Sequence, residues 1–591
     1  MRASLLPLAA ASCLAVATLA GACGDDKGGT VAGEDTGAVT EDADGASDAT
    51  AADDAGDATG GADTGDDAAG SDVIEPPPLN AAPTTRGQVF WLGYMENLTL
   101  AFNGPPHFAL QITAEEATRG KVEIPRTGFV QIFEVPAGGA VEVALPDGIL
   151  YPQLNETAAD LGVRVSADDP VRVTAIHYRL HFSEATPVLP SGELADRYVV
   201  LAGEDAGGQS PSELLIVATR DGTVVEIGPS AVTSGFHAPG NPFRVTLDAG
   251  QTYQLQAAQD LSGTTVQALG GERLAVFGGA RQANVGCTGA DNHLWEQLLP
   301  PARWATDYVV VPLGGGAGPT PLRILADRVK TVVEVSCQTQ VVVDPGKGVA
   351  VNVAKPTVLR GSAPIAVGAF VKSAGCAGTA GGDPNLALVA PARLTTRRAT
   401  FKRVRGVSTL EDAKHWLTVV ARAADTGAVT LDGQALTGWA PFPDEPALAT
   451  VTAEVDDDDA HTLATGGEGG FQAMLYGYGF YDSYAFHLGW DCDDCDATGL
   501  GGHAPATGCD PGDTTIRTTT TPGGDPDDPR RICGGPCDCW ERLGDPGGAC
   551  AGDGDPVWAC VDGMCEGACG DPCDACPAVF PQDEQGRCIA P

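Results

Sequence analysis

The strongest constraint on the fold of this chain is a phrase that returns along it. The phrase is an apolar strand, a loop, a short Leu/Pro element and a second strand. It reads Val171–Ile176, loop, Val188-Leu189-Pro190, Tyr198-Val199-Val200. It returns as Leu274–Phe277, loop, Leu298-Leu299-Pro300, Tyr308-Val309-Val310. A weaker copy reads Ile365–Val371, loop, Leu388-Val389-Ala390-Pro391, Ala399-Thr400-Phe401, and Gln472–Tyr476 opens a last one. Aligning Val173, Val276, Val367 and Met474 gives periods of 103, 91 and 107 residues. Such a period is too long for one propeller blade and suits a seven-stranded sandwich. The expected fold is all-β: tandem, Ig-like β-sandwich modules over residues 87–489, the first starting near Phe90. A β-propeller, with two blades in each period, is the alternative.

The texture between the phrases agrees. Glu213–Thr219, Thr223–Ile227, Phe243–Leu247 and Tyr253–Ala257 are short β-branched and aromatic runs separated by Gly, Pro and Asp. Asp221-Gly222, between the first two runs, predicts a hairpin. Only 19% of residues are charged and Met numbers 4, which speaks against a helix-rich chain.

The flanks differ from this region. Residues 24–85 carry 16 Asp and Glu against one Lys, with Ala, Gly and Thr making up most of the rest. Such a segment cannot bury enough apolar surface to offset its ordering entropy, so 23–86 is expected to be a disordered, self-repelling tether. The net charge of the whole chain is −43, against any phosphate-binding role, so no nucleic-acid partner is expected. Residues 1–22 have the form of an export signal: Met1-Arg2, an apolar run from Leu5 to Ala20, then Leu19-Ala20-Gly21-Ala22-Cys23. That ending resembles a bacterial lipobox, and the resemblance implies cleavage before Cys23 and its lipidation. Several acyl chains anchor stably where one does so marginally. By the sorting rule known for some Gram-negative bacteria, Gly24 in place of Asp directs the product to the outer membrane. The expected location is exported and lipid-anchored, at the outer membrane or cell surface, with membrane contact through the anchor alone.

Of 18 cysteines, 13 follow residue 490. Behind an export signal they are expected to form disulfides stapling a small module over 490–591. The candidates there are Cys492, Cys495, Cys509, Cys533, Cys537, Cys539, Cys550, Cys560, Cys565, Cys569, Cys573, Cys576 and Cys588. The repeated region holds Cys287, Cys337 and Cys376; Cys337–Cys376 is the expected bond, with the odd cysteine pairing into the tail.

Several words of the repeated region resemble the IgGFc-binding protein N-terminal domain family. They are Phe90-Trp91-Leu92-Gly93-Tyr94-Met95-Glu96-Asn97, Ala195-Asp196-Arg197-Tyr198-Val199-Val200 and the run Ala218–Ile227. The others are Ala249–Gln254, Leu274–Gly279 and His293-Leu294-Trp295-Glu296-Gln297-Leu298-Leu299-Pro300. The region they mark covers about two thirds of the chain. The resemblance implies a secreted or surface protein of adhesive type. Fc binding itself does not carry over, because no Fc-contact residues are matched.

Chemical motifs are sparse. His177 and His181 lie four apart, but in a strand that spacing spans ~13 Å, too far for one zinc ion. Glu184, Asp291 and Asp383 precede the Leu/Pro elements; each reads as a carboxylate accepting backbone N–H bonds in a turn rather than as a cation site. No HExxH, GxSxG or Walker A spacing occurs. No catalytic residue, metal ligand or cofactor is therefore named. The expected function is recognition of an unknown protein or glycan, or of a surface. A structural stalk is the alternative, and an unrecognised secreted hydrolase is less favoured. A binding protein requires a groove or exposed aromatic patch shared between modules.

Overall fold

The computed structural model describes residues 82–500 except 98–103, 147, 206–207, 209, 288, 314–318, 337–338, 378–381, 405–412, 456 and 493–498. It also describes residue 79 and the backbone of 555–561 and 564–570. The chain divides into two units, Met1–Ser71 and Asp72–Pro591, and every described residue belongs to the second. The expected tether over 23–86 therefore lies almost wholly outside the described residues, as do the signal segment 1–22 and Cys23.

The region is all-β and built from four modules. The first and third each form a seven-stranded antiparallel sheet around one long strand, Val163–Arg179 or Thr357–Val371. The early half of Val163–Arg179 pairs with Gly87–Leu92 and Thr118–Ile124; the late half pairs with His107–Ala114 and Phe182–Val188. Thr357–Val371 divides its pairing in the same way, Ala305–Val310 on its early half and Thr320–Ala326 on its late half. Between the halves lie Asp168-Asp169-Pro170 and Ser362-Ala363-Pro364. Proline cannot donate to a ladder, so it is tolerated where the strand passes from one layer to the other.

In the second and fourth modules that strand is cut in two. Thr265–Ala268 and Leu274–Ala283 belong to different sheets, separated by a stretch containing Gly270-Gly271. His461–Thr465 and Phe471–Gly479 likewise belong to different sheets, separated by a stretch containing Gly466-Gly467 and Gly469-Gly470. Each of these modules is a sandwich of a four-stranded and a five-stranded sheet. Tandem sandwiches are thus observed, and the sheets do not display a propeller.

The hairpin expected at Asp221-Gly222 is not formed. Ser212–Ala218 and Thr223–Gly228, the strands on either side, pair in separate sheets. The turn crosses between layers instead, with Gly222 in the left-handed region at φ 71°. Asp221 Oδ1 accepts from Ala249 N, and Asp248 Oδ1 accepts from Gly222 N. A tight Asp-Gly turn specifies chain reversal, and the apolar faces of the two strands decide whether they pair or stack.

Each module closes on the same element. Its long or second-half strand returns as a short strand: Phe182–Val188, Asn292–Gln297, Asn385–Leu388 and Asp482–His487. These four return strands form a ring. Phe182–Val188 packs against Asn292–Gln297 and Asp482–His487, and Asn385–Leu388 packs against the same two. Beyond the ring strands the chain ends of the region meet: Thr85 N donates to Trp490 O at 2.9 Å and Cys492 N to Pro83 O at 2.9 Å. In the tail, Asp555–Val561 and Met564–Gly570 form an antiparallel hairpin. The remaining tail cysteines lie outside the described residues.

Candidate functional site

The ring strands do not pair through their backbones; side chains join them. Asn292 Nδ2 donates to Pro384 O at 2.9 Å and to Ser183 O at 3.4 Å. Ser183 Oγ donates to Asp482 Oδ2 at 3.1 Å, and Ser483 Oγ to Asp383 O at 2.6 Å. Asn385 Nδ2 donates to Glu184 Oε2, and Gln297 N to Thr186 Oγ1 at 3.0 Å. Each of the four modules thus contributes at least one polar link.

The axis holds a concentration of acid. Glu184, Glu296, Asp383 and Asp482 are all buried. Glu184 Oε1, Glu296 Oε2 and Asp383 Oδ1 are buried without a hydrogen-bond donor. Burial pushes the Glu184 and Glu296 carboxyls well above the usual range; for Glu184 the nearby Glu296 and Asp482 add to the effect. Burial, followed by Asp482 and Asp291, pushes Asp383 up to about 9. Burial beside other carboxyls disfavours the ionised forms of Glu184, Glu296 and Asp383, because ionising one in a dry interior beside others is costly. The turn-acceptor reading of Glu184 and Asp383 is corrected here: Glu184 bonds a side chain of another module, and Asp383 Oδ1 bonds nothing. Asp291, half-buried and bonded to its own backbone N–H and to Gln282, keeps that reading.

His177 is fully buried, with its ring 5.2 Å from that of His293 in an edge-to-face pair. Burial lowers both, His293 to about 3. His181 lies elsewhere, past the strand end, in the turn 180–181. Among the described residues no three His, Cys, Asp or Glu side chains stand close enough to hold a metal ion.

The connections entering the ring strands all lie at one end of the ring. In the first and fourth modules they are two-residue turns, Leu180-His181 and Phe480-Tyr481, closed by the pairs Arg179–Phe182 and Gly479–Asp482. His181 and Tyr481 sit in the left-handed region at φ 68° and 51°. Glycine or asparagine is the usual occupant of such a position, and a bulky side chain there costs ~1–2 kcal/mol. Phe480 is 62% and Tyr481 42% exposed. The Phe480 and Tyr481 rings meet at 4.6 Å, nearly perpendicular, and the His181 ring lies 6.1 and 6.4 Å from them. His181 Nδ1–H donates to Phe480 O at 3.2 Å, which locks the two turns together. In the other two modules the connections are longer, 284–291 and 372–384. Gly382 N donates to Gly479 O at 2.8 Å, so the third module's loop abuts the fourth module's hairpin.

A separate crevice between the third and fourth modules is lined by Val309, Leu313, Val420, Met474 and His487 and holds about 50 Å³. That is far below the ~300 Å³ from which small-molecule sites begin.

Cys287 and Cys492 are each disulfide-bonded. Cys337 lies outside the described residues, as does the side chain of Cys376.

The fold is a multi-module all-β scaffold that carries its connecting loops at one end of the ring. Residues 184–477 match the model of the family described as IgGFc binding protein, and this region belongs to that family. The match starts later than the words that carried the resemblance, so Phe90–Asn97 falls outside it, and it runs on past the last of them, His293–Pro300. The human IgGFc-binding protein is 32% identical over 153 residues, 25% of this chain and 3% of that protein. The chain thus spans only a small fraction of the length of this curated relative. Among the described residues no helix is long and apolar enough to cross a membrane.

Sequence reasoning did not find the aromatic turn. Its only signal was a bulky pair, Phe480-Tyr481, where a two-residue connection calls for Asn, Asp or Gly.

Proposed function

We propose that this is a lipid-anchored, cell-surface binding protein without catalytic activity. Its contact surface is the ring end that carries the His181, Phe480 and Tyr481 side chains. The supporting observation is the aromatic patch shared by the first and fourth modules, held by two turns in a conformation that disfavours such residues. Exposed aromatic side chains at rigid positions are typical binding anchors, since they contribute large contact area at low entropy cost. Strain kept at an exposed site points to function rather than to stability. A family named for binding a protein favours a protein partner over a glycan.

Chain direction supports the geometry. The segment Pro83–Thr85 enters beside Trp490–Cys492, past the far ends of the ring strands from the turns. The tether therefore joins the described region on the side away from the aromatic turns. A purely structural stalk has no use for strained, exposed aromatics.

The test displays the full chain at high density and offers it extracellular and envelope protein fractions, because multivalency exposes weak single-site affinity. Saturable capture by the parent chain, lost in Phe480→Ala, is expected. Equal capture by both moves the contact elsewhere, and absence of capture by either leaves the stalk reading.

A further inference from the structure

We propose that the disulfide partner of Cys287 is Cys376. The bond would staple the long connections of the second and third modules to each other. It braces the half of the ring end opposite the aromatic turns, so its functional meaning rests on the binding-face reading. The bond itself does not.

The argument is one of placement. Cys287 is disulfide-bonded and lies in the connection 284–291. Three contacts fix what faces that connection. Ser373 N donates to Val285 O at 3.0 Å, and Val285 N donates to Ser373 Oγ at 2.9 Å. A Cβ at Gly289 would meet the Gly375 Cα at 3.9 Å. The stretch 285–289 therefore runs against 373–375, with Cys287 at its middle. Cys376 follows Gly375 directly, in the short helix Ala374–Ala377. A disulfide needs Cα atoms ~4.4–6.8 Å apart, and among the described residues of the repeated region Cys376 is the cysteine whose backbone lies there.

The expected Cys337–Cys376 bond does not fit this placement. Cys337 follows Ser336, at the end of the Thr331–Ser336 strand. That strand pairs with the early half of Thr357–Val371, through Glu334–Arg360. Its own direction carries it further from Val371, after which Cys376 comes. Roughly 40 Å of strand contour separates the two ends. The pair proposed instead joins equivalent loops of two repeats, which the ring brings to the same end.

Formation of the bond removes two protons and two electrons from the thiols. A disulfide-bearing oxidoreductase of the exported compartment takes them by thiol–disulfide exchange and leaves as its dithiol. Cys337 is then the odd cysteine of the repeated region.

The experiment maps disulfides in the full exported chain, alkylated without reduction and cut with trypsin. Cys287 falls in the peptide 282–303, Cys376 in 373–393 and Cys337 in 331–347. The expected product is 282–303 linked to 373–393, separating into two on reduction. Linkage of 331–347 to either peptide overturns the proposal, as does linkage of 282–303 to a tail peptide or an alkylated Cys287. In a second arm, Cys287→Ser is expected to expose one new thiol, at Cys376; a new thiol at any other position overturns the assignment. These readouts need no ligand. A confirmed bond with no capture by the aromatic face therefore sinks the binding-face reading and leaves the disulfide standing.

Discussion

Tyr481 separates function from stability at a single residue. Its φ of 51° is one that glycine adopts freely. Tyr481→Gly is therefore expected to leave unfolding free energy unchanged or up to about 1 kcal/mol higher, because relief of backbone strain offsets glycine's entropy. The same substitution is expected to weaken capture at least about tenfold, the effect of losing one anchoring side chain. Urea titration and binding on one preparation check both; a destabilised, fully binding variant contradicts the argument. A second residue-scale expectation concerns Arg303, whose guanidinium pairs with the buried Glu193 at 2.7 Å and 3.1 Å. Both lie in the Leu/Pro turns that follow ring strands, and Arg393 reaches the Arg303 carbonyl from the next turn at 3.2 Å. Arg303→Ala is expected to cost about 3–5 kcal/mol, since it strands a buried carboxylate. Chemical denaturation measures it.

At the scale of elements, the ring strands carry an unusual pH dependence. Glu184, Glu296 and Asp383 titrate above the usual carboxyl range, Asp383 at about 9. The unfolded chain releases these protons near pH 4, whereas the folded chain keeps them. Stability from these groups is thus fully present below pH ~4 and declines as pH rises toward their folded values, by at most about 1.4 kcal/mol per group per unit. His177, His293 and His487 act oppositely, since burial lowers all three, His487 to about 4. Their contribution is complete above pH ~6.5 and is lost as pH falls toward those lowered values. The opposing slopes overlap below pH 6.5, so the carboxyl slope is expected alone between pH 7 and 9. Thermal midpoints should fall across that interval. Glu184→Gln with Glu296→Gln should flatten the decline, and an unchanged slope would remove these carboxyls as its cause.

For the whole molecule, the expectations rest on the flanks. Cys23→Ser should abolish lipid labelling and release the protein from membranes; continued retention refutes the anchor. The exported tail should show no free thiols before reduction, as an Ellman titration of the denatured chain would establish. Bound zinc, with thiols exposed only by chelation, would contradict the disulfide reading of 490–591. Much of the fold was legible in advance. Val173, Val276, Val367 and Met474 do occupy equivalent strands, each followed by its return strand. The acid axis was not legible. Glu184, Glu296 and Asp482 come from modules more than a hundred residues apart in pairs, and no local pattern marks a carboxyl that will meet others across a ring.

What the amino-acid sequence determined by itself is the unit. Alternating apolar runs, Gly and Pro breaks and a recurring Leu/Pro phrase specify a strand order, because local periodicity and turn chemistry act over a few residues. What tertiary structure decided is the assembly of those units. Whether Asp221-Gly222 makes a hairpin or a crossing depends on which apolar faces find each other. Whether Glu184 is a turn acceptor or an axial acid depends on Asn385, two modules away. The distance between Cys287 and Cys376 is likewise set by ring closure, for the sequence places them 89 positions apart and says nothing of the loop contacts that bring them together.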